Sequence, residues 1–170
     1  MGAPICPGLE RRALVDAVEL PEGVDVRPLR EEDIDAVVVI ETEAFSTPWK
    51  RDTFANLIGR DGVELLVMTH TEHGVVGYAV LWCILDQGEL ANLALQPGKR
   101  GSGLGSHLLR QVLKVARMRG VAKLFLEVRT SNERARDLYS NFGFTEVGCR
   151  AGYYDAPRED ALVLLATLDD

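Results

Sequence analysis

The chain has 170 residues, of which 46% are hydrophobic and 26% charged, with a formal net charge of −7. This length suits one globular domain with a substantial core, and no apolar run approaches what a bilayer span requires. The acidic balance opposes non-specific attraction to nucleic acid, so an anionic ligand has to be held by local groups.

The three cysteines, Cys6, Cys83 and Cys149, are widely spaced and form no Cys-x-x-Cys or paired-His pattern. Neither a disulfide framework nor a metal site is expected. The start, Met1-Gly2-Ala3-Pro4-Ile5-Cys6, has neither the basic-then-apolar order of a signal peptide nor the Ser or Thr of a myristoylation motif. The expectation is a cytoplasmic protein without membrane attachment, a monomer by default.

Residues 1–23 carry Pro4, Pro7 and Pro21 around a short helical pattern from Leu9 to Leu20 and read as an extension; residues 24–170 read as the catalytic domain. Val24 to Leu29 alternates as a strand does, and Arg30-Glu31-Glu32-Asp33 places acids where a helix N-terminus favours them. Ile34, Val37, Val38, Glu41 and Phe45 continue one helical face, which Ser46-Thr47-Pro48-Trp49 breaks; Thr53 to Ile58 follows as a shorter helix. Glu64 to Thr69 and Val75 to Leu85 read as an antiparallel hairpin, and Glu89 to Leu95 as a third strand. After Gln96-Pro97-Gly98 comes a glycine-rich turn, then a helix with Leu104, Leu108, Val112, Val115 and Ala116 on one side, closed by Gly120. Lys123 to Arg129 is a strand, Glu133 to Phe142 a helix, and Phe144 to Cys149 and Ala161 to Leu168 are strands. This order implies an α/β fold, a mixed and largely antiparallel sheet with helices on both faces.

Arg100-Gly101-Ser102-Gly103-Leu104-Gly105 lies between a strand and a helix, where free backbone N–H groups and the helix dipole favour an anion. The glycines let main-chain donors approach closely, and Arg100 adds a cation. No Gly-Lys-Ser/Thr ending marks a nucleotide-hydrolysing loop, and the last glycine of the dinucleotide fingerprint is missing. The Arg-x-x-Gly-x-Gly turn, with a helix beginning Leu-Gly-Ser-His-Leu-Leu, resembles the cofactor motif of the GCN5-related N-acetyltransferases (GNAT). Within that superfamily, "LFLEVRTSNERARDLYSNFGF" and "RAGYYDAPREDALVL" resemble the ribosomal-protein-alanine N-acetyltransferases. The resemblance runs from about Val24 to Leu168. It implies acetyl-coenzyme A as cosubstrate, its pyrophosphate on Gly101, Ser102, Gly103, Leu104, Gly105 and Ser106, and further contacts at Leu93, Ala94, Leu95 and Asn132. The implied acceptor is a protein N-terminus, that of a ribosomal protein.

Acetyl transfer to an amine needs an acceptor for the amine's proton, donors for the oxyanion and a proton for the leaving thiolate. Glu127 and Tyr139 suit the two proton steps, and the resembled enzymes use Glu and Tyr at these positions as base and acid. Glu127 is expected in an apolar setting that raises its pKa; the plainer reading pairs it with Lys123 or Arg129. By pattern alone, Tyr139 is a core side chain and Asn132 a helix N-cap. Phe45, Pro48, Trp49, Tyr153 and Tyr154 match family regions that line the acceptor groove, the two tyrosines on a loop. A bulge in Asn92 to Leu95 would free an N–H for the acetyl oxygen. His70, His73 and His107 show no ligand spacing, and His107 is expected to face solvent. Two rival functions remain open on these residues: acetylation of a small amine, and non-catalytic coenzyme A binding.

Overall fold

Strand parity organises the molecule: in residues 65–68 of the second strand, Leu66 and Met68 enter one apolar cluster while Leu65 and Val67 enter another on the opposite face. The computed structural model describes residues 19–168. The proline-bearing start up to residue 18, with most of its helical pattern, lies outside the described residues.

The elements run β1 (Val24–Pro28), a 3₁₀ turn (Glu31–Asp33), α1 (Ile34–Ala44), α2 (Arg51–Leu57), β2 (Val63–His70), β3 (Gly74–Ile84) and β4 (Gln87–Leu95). Then come α3 (Leu104–Met118), β5 (Lys123–Arg129), α4 (Glu133–Asn141), β6 (Thr145–Asp155) and β7 (Arg158–Thr167). The seven strands form one sheet in the order β1-β2-β3-β4-β5-β7-β6. All neighbours are antiparallel except β4 and β5. The α/β reading and the mixed sheet with helices on both faces agree with this architecture.

α3 buries Leu104, Leu108, Leu109, Val112, Leu113 and Ala116 on one face, joined there by Tyr139 of α4. α1 and α2 cover the other face over β2 to β4, with Ile34, Val37, Ile40 and Phe54 fully buried. On that second face the cover stops short of β5 and β7, where Phe125, Glu127 and Val163 stay half-buried. One side of the β4–β5 junction is thus roofed and the other is open.

Two expectations need correction. β6 extends to Asp155 instead of ending at Cys149, and β7 begins at Arg158 instead of Ala161. Tyr153 and Tyr154 therefore stand on a strand, not on a loop; β6 is an edge strand exposed over most of its length, so it lacks the alternation by which a half-buried strand is read. Asp33 lies in the first turn, as expected of a helix-start acid. It is buried, accepts two bonds from the Arg27 guanidinium at 2.7 and 2.8 Å and takes the Arg30 N–H at 2.8 Å.

The Arg27 hydrogen bonds hold the Asp33 carboxyl below its ordinary value, against the opposing effect of burial. Asp33→Asn should cost about 2 kcal/mol at pH 7, the scale of a hydrogen bond to a charged group. Because the folded-state pKa is depressed, that stabilisation is complete above the unfolded value of about 3.9 and declines as pH falls below it. Denaturant titrations at pH 7 and pH 3 should show a smaller gap between wild type and variant at pH 3. An undiminished gap would assign the effect to packing alone.

Candidate active site

β4 and β5 pair in parallel only from Gln87↔Lys123 to Leu90↔Leu126, then part. At the same level β4 carries a bulge: Leu81 faces Leu90 and Val80 faces Asn92, so Ala91 is the extra residue. Past the bulge, residues 92–95 keep their pairing to β3 but have none to β5. Half of the main-chain groups of this stretch thus point into the gap, as alternation along a strand requires.

The gap opens on the α3 side into a cavity of about 560 Å³. Leu93, Ala94, Leu95, Arg100, Gly101, Gly103, Gly105, Ser106 and Asn132 line it together, which gathers nine of the eleven residues expected at the cofactor. The side chains of the other two are committed elsewhere: the Ser102 hydroxyl donates to the Lys99 carbonyl at 2.6 Å, and Leu104 is in the core. Gly101 and Gly103 have φ of 77° and 84°, a region L-residues with a Cβ avoid, and a Cβ on Gly103 would point into open space. Gly103 is also the N-cap of α3, where no side chain caps the first turn. Those N–H groups and the dipole present an anion site at the cavity wall. Asn132 serves both of its readings, accepting the Ala135 N–H at 3.2 Å as the cap of α4 while lining the cavity. Sequence reasoning missed Arg134, whose guanidinium lies 3.8 Å from where a Cβ on Gly101 would sit. Arg100, by contrast, spends its Nε–H on the Leu95 carbonyl at 3.1 Å.

On the opposite face a second cavity of about 570 Å³ is walled by Trp82, Glu89, Phe125, Glu127, Arg150 and Tyr153, among others. Glu127 is the first residue of β5 beyond the last β4 pair. Its surroundings correct the expectation of an apolar setting: Arg150 Nη1 lies 2.9 Å from Oε1, and Tyr153 donates a hydrogen bond to the carboxylate. That bond, with burial and the carboxylate's charge, pushes the Tyr153 phenol up to about 12. The pairing with Lys123 or Arg129 is absent from the described contacts. Tyr139 is buried, its ring edge-on to Phe144 at 5.6 Å, and burial raises its pKa.

The expected acceptor-groove residues divide. Tyr153 lines the cavity with Glu127, and Phe45 lines the cofactor-side cavity. Trp49 packs on Phe54 at 5.7 Å, Pro48 is exposed, and Tyr154 lies under the Arg129 guanidinium at 4.0 Å. His107 is half-buried, not solvent-facing, and burial lowers its pKa. His70, Glu72 and His73 meet at the β2–β3 turn with ligand atoms within 4.8 Å of one another. There Nδ1 of His70 already accepts the Glu72 N–H at 3.1 Å.

Residues 34–144, which span the glycine-rich helix start, match the model of the Acetyltransferase (GNAT) family. The chain belongs to that family. The [ribosomal protein bS18]-alanine N-acetyltransferase of Escherichia coli K12 is 36% identical over 142 residues, covering 82% of this chain and 94% of that one. The crystal structure of the ribosomal-protein-S18-alanine N-acetyltransferase from Escherichia coli superposes with a TM-score of 0.79 at 32% identity, over 86% of this chain and 95% of that one. A Salmonella typhimurium structure with its cofactor acetyl-CoA shares the fold at 21% identity and a TM-score of 0.75, over 88% and 96% of the two chains. This GNAT chain is therefore an acetyl-coenzyme A-dependent N-acetyltransferase. Among the described residues, no helix is long and apolar enough to cross a membrane.

Arg129 ends β5 and ties it to neighbouring connections. Its guanidinium reaches Ser46 Oγ at 2.9 Å, the Pro157 carbonyl at 3.1 Å and Glu159 at 3.3 Å, joining the α1–α2 connection to the β6–β7 turn. Glu159 also takes the Thr130 hydroxyl at 2.8 Å and the Ser131 N–H, and the Ser131 and Thr130 hydrogen bonds pull its pKa down to about 2. A depressed carboxylate stabilises the fold above its unfolded pKa of about 4.3, and the effect is lost as pH falls towards the folded value. Glu159→Gln should lower Tm at pH 6 by more than at pH 3. Equal losses at both values would remove the charge from the account of this latch.

Proposed function

We propose that the chain acetylates the α-amino group of a protein that begins with alanine, a ribosomal protein of the S18 type, and that residues 24–170 form the acetyltransferase domain behind an extension of residues 1–23. The observation that carries this reading is the position of Glu127, at the point where β4 and β5 part, facing a cavity on one side of the sheet while the phosphate-type cradle lies on the other. The share of each chain covered by the bS18-alanine acetyltransferase supports the choice of acceptor. We place the enzyme in the cytoplasm, acting as a monomer without a metal.

The amides around Gly101, Gly103 and Gly105, with Arg134, would hold the cofactor's phosphates, and residues 92–95 would pair with its arm. When bound, acetyl-coenzyme A supplies an activated acetyl thioester and departs as a thiol. An α-amino group has a pKa of about 8 and is mostly charged at neutral pH. In this reading Glu127 takes its proton. Arg150 and Tyr153 aim the carboxylate, both by donating to it. Main-chain N–H groups beside the Ala91 bulge face the negative charge that grows on the acetyl oxygen. Burial keeps the Tyr139 phenol protonated, so it acts only as a donor, towards the leaving sulfur.

Thiol release measured with a panel of peptides and small amines tests the acceptor: turnover should be highest on alanine-starting peptides, and equal turnover on small amines would overturn the choice. Tyr139→Phe should lower kcat by about 10²- to 10⁴-fold, the usual effect of removing a general acid, with Tm nearly unchanged. Unaltered turnover would return Tyr139 to the core. Glu127→Gln should reduce kcat/KM most at neutral pH and progressively less above pH 8, where more of the amine is already neutral. A wild-type to variant ratio that stays flat across pH would make Glu127 a charge that orients the peptide, not the base.

A further inference from the structure

Glu41 lies on α1 inside the apolar cluster on the acceptor face, only 1% exposed. An ionised carboxylate is costly to bury without partners, and no cation is among the described contacts of this one. Its partners are three donors from three separate elements. The Tyr78 hydroxyl of β3 donates to Oε2, Asn92 Nδ2 of β4 reaches the same oxygen at 3.0 Å, and the Trp49 N–H donates to Oε1 at 2.8 Å.

Asn92 is the informative member. Without the extra residue at Ala91, Asn92 would share a face with Leu90, which belongs to the α3-side apolar cluster. The bulge turns Asn92 to the opposite face, beside Val80 and against Glu41. A slip that removed the bulge would strand the Asn92 amide among leucines and leave the buried carboxylate without its β4 donor. Both errors are expensive in an apolar interior.

We propose that Glu41 is a positioning residue that locks the bulged register of β4 and, through Trp49, ties the α1–α2 connection to that register. The inference rests on the reading that residues 92–95 of β4 meet the cofactor. Register decides which of their N–H groups enter the gap, because neighbouring residues along a strand point their main-chain groups in opposite directions. Glu41 thereby sets the donors on which acetyl transfer depends, without touching the reacting atoms. A sequence signal was present, a carboxylate at an apolar position of α1, but two of its three donors lie 37 and 51 residues away.

Glu41→Gln keeps the size and turns an N–H₂ towards groups that are themselves donors. It should lower kcat by about 10- to 100-fold, as a displacement of about 1 Å does in a positioned site, and weaken acetyl-coenzyme A binding. Val37→Ala, a cavity variant on the same helix, should lower Tm at least as much while leaving kcat and cofactor affinity near wild type below the melting range. Amide hydrogen exchange should rise in residues 90–95 in the Gln variant and not in Val37→Ala. Tyr78→Phe, which keeps the ring packed on Phe54, covers the case in which Glu41→Gln does not fold and should show the same pattern more weakly. Wild-type kcat with unchanged exchange in residues 90–95, in Tyr78→Phe or in Glu41→Gln, overturns the lock. Altered exchange in residues 90–95 with kcat and cofactor affinity unchanged would keep the lock and refute the cofactor role of β4.

Discussion

A parallel pair of strands inside an antiparallel sheet cannot be joined by a tight turn, and here the connection from β4 to β5 runs through the glycine loop and all of α3. That constraint creates the site. Because β4 and β5 are brought together only by this long crossover, nothing forces their far ends to pair, and they part after Leu90 and Leu126. Pairing lost at the gap leaves main-chain donors and acceptors unsatisfied within the sheet, a condition that folded proteins avoid unless another partner takes them. The same crossover puts the start of α3, with its uncapped N–H groups, beside the gap. The opening and the anion cradle are thus two results of one topological choice.

Carboxylates around the gap are held in two ways, which differ in what surrounds them. Glu159 is satisfied by Thr130, Ser131 and Arg129 together, so it acts as a latch between β5 and the β6–β7 turn. Glu127 has Arg150 and Tyr153 on one flank and an open cavity on the other. A group with its lone pairs fully engaged cannot take a new proton without breaking bonds; one that faces open volume can. This contrast supports the proposed division between a structural acid and a chemical one, which residue type does not make.

Legibility in the sequence followed locality. The cradle was readable because left-handed backbone at Gly101 and Gly103 demands glycine, and Asn132 because a cap acts three residues away. α3 announced itself by periodic leucines facing the sheet. β6 looks six residues shorter in the sequence because an edge strand exposed on both sides carries no alternation, which gives its two tyrosines the look of loop residues. Arg150, Arg134 and the donors of Glu41 were not found at all. Each acts through a contact across the sheet or between loops, and no spacing along the chain encodes it. Glu127 and Tyr139 stood out by resemblance; residue pattern alone left each with a structural reading.

The two faces of the sheet also answer opposite electrostatic demands. On the proposed acceptor face the cavity walls carry Asp86, Glu89 and Glu127 against the single cation Arg150. A positively charged amine is favoured there before any proton moves, and the chain's net charge of −7 adds a long-range attraction. Phosphate groups meet the reverse situation, since the same net charge repels them. The proposed cofactor face would meet that demand with fixed dipoles at the start of α3 and the nearby guanidinium of Arg134, groups whose effect is local. A surface made basic enough to draw in phosphates from a distance would repel the ammonium acceptor. A phosphate site concentrated in backbone N–H groups would remove that conflict, which accounts in this reading for glycines in the loop, not a cluster of lysines, in an acidic protein.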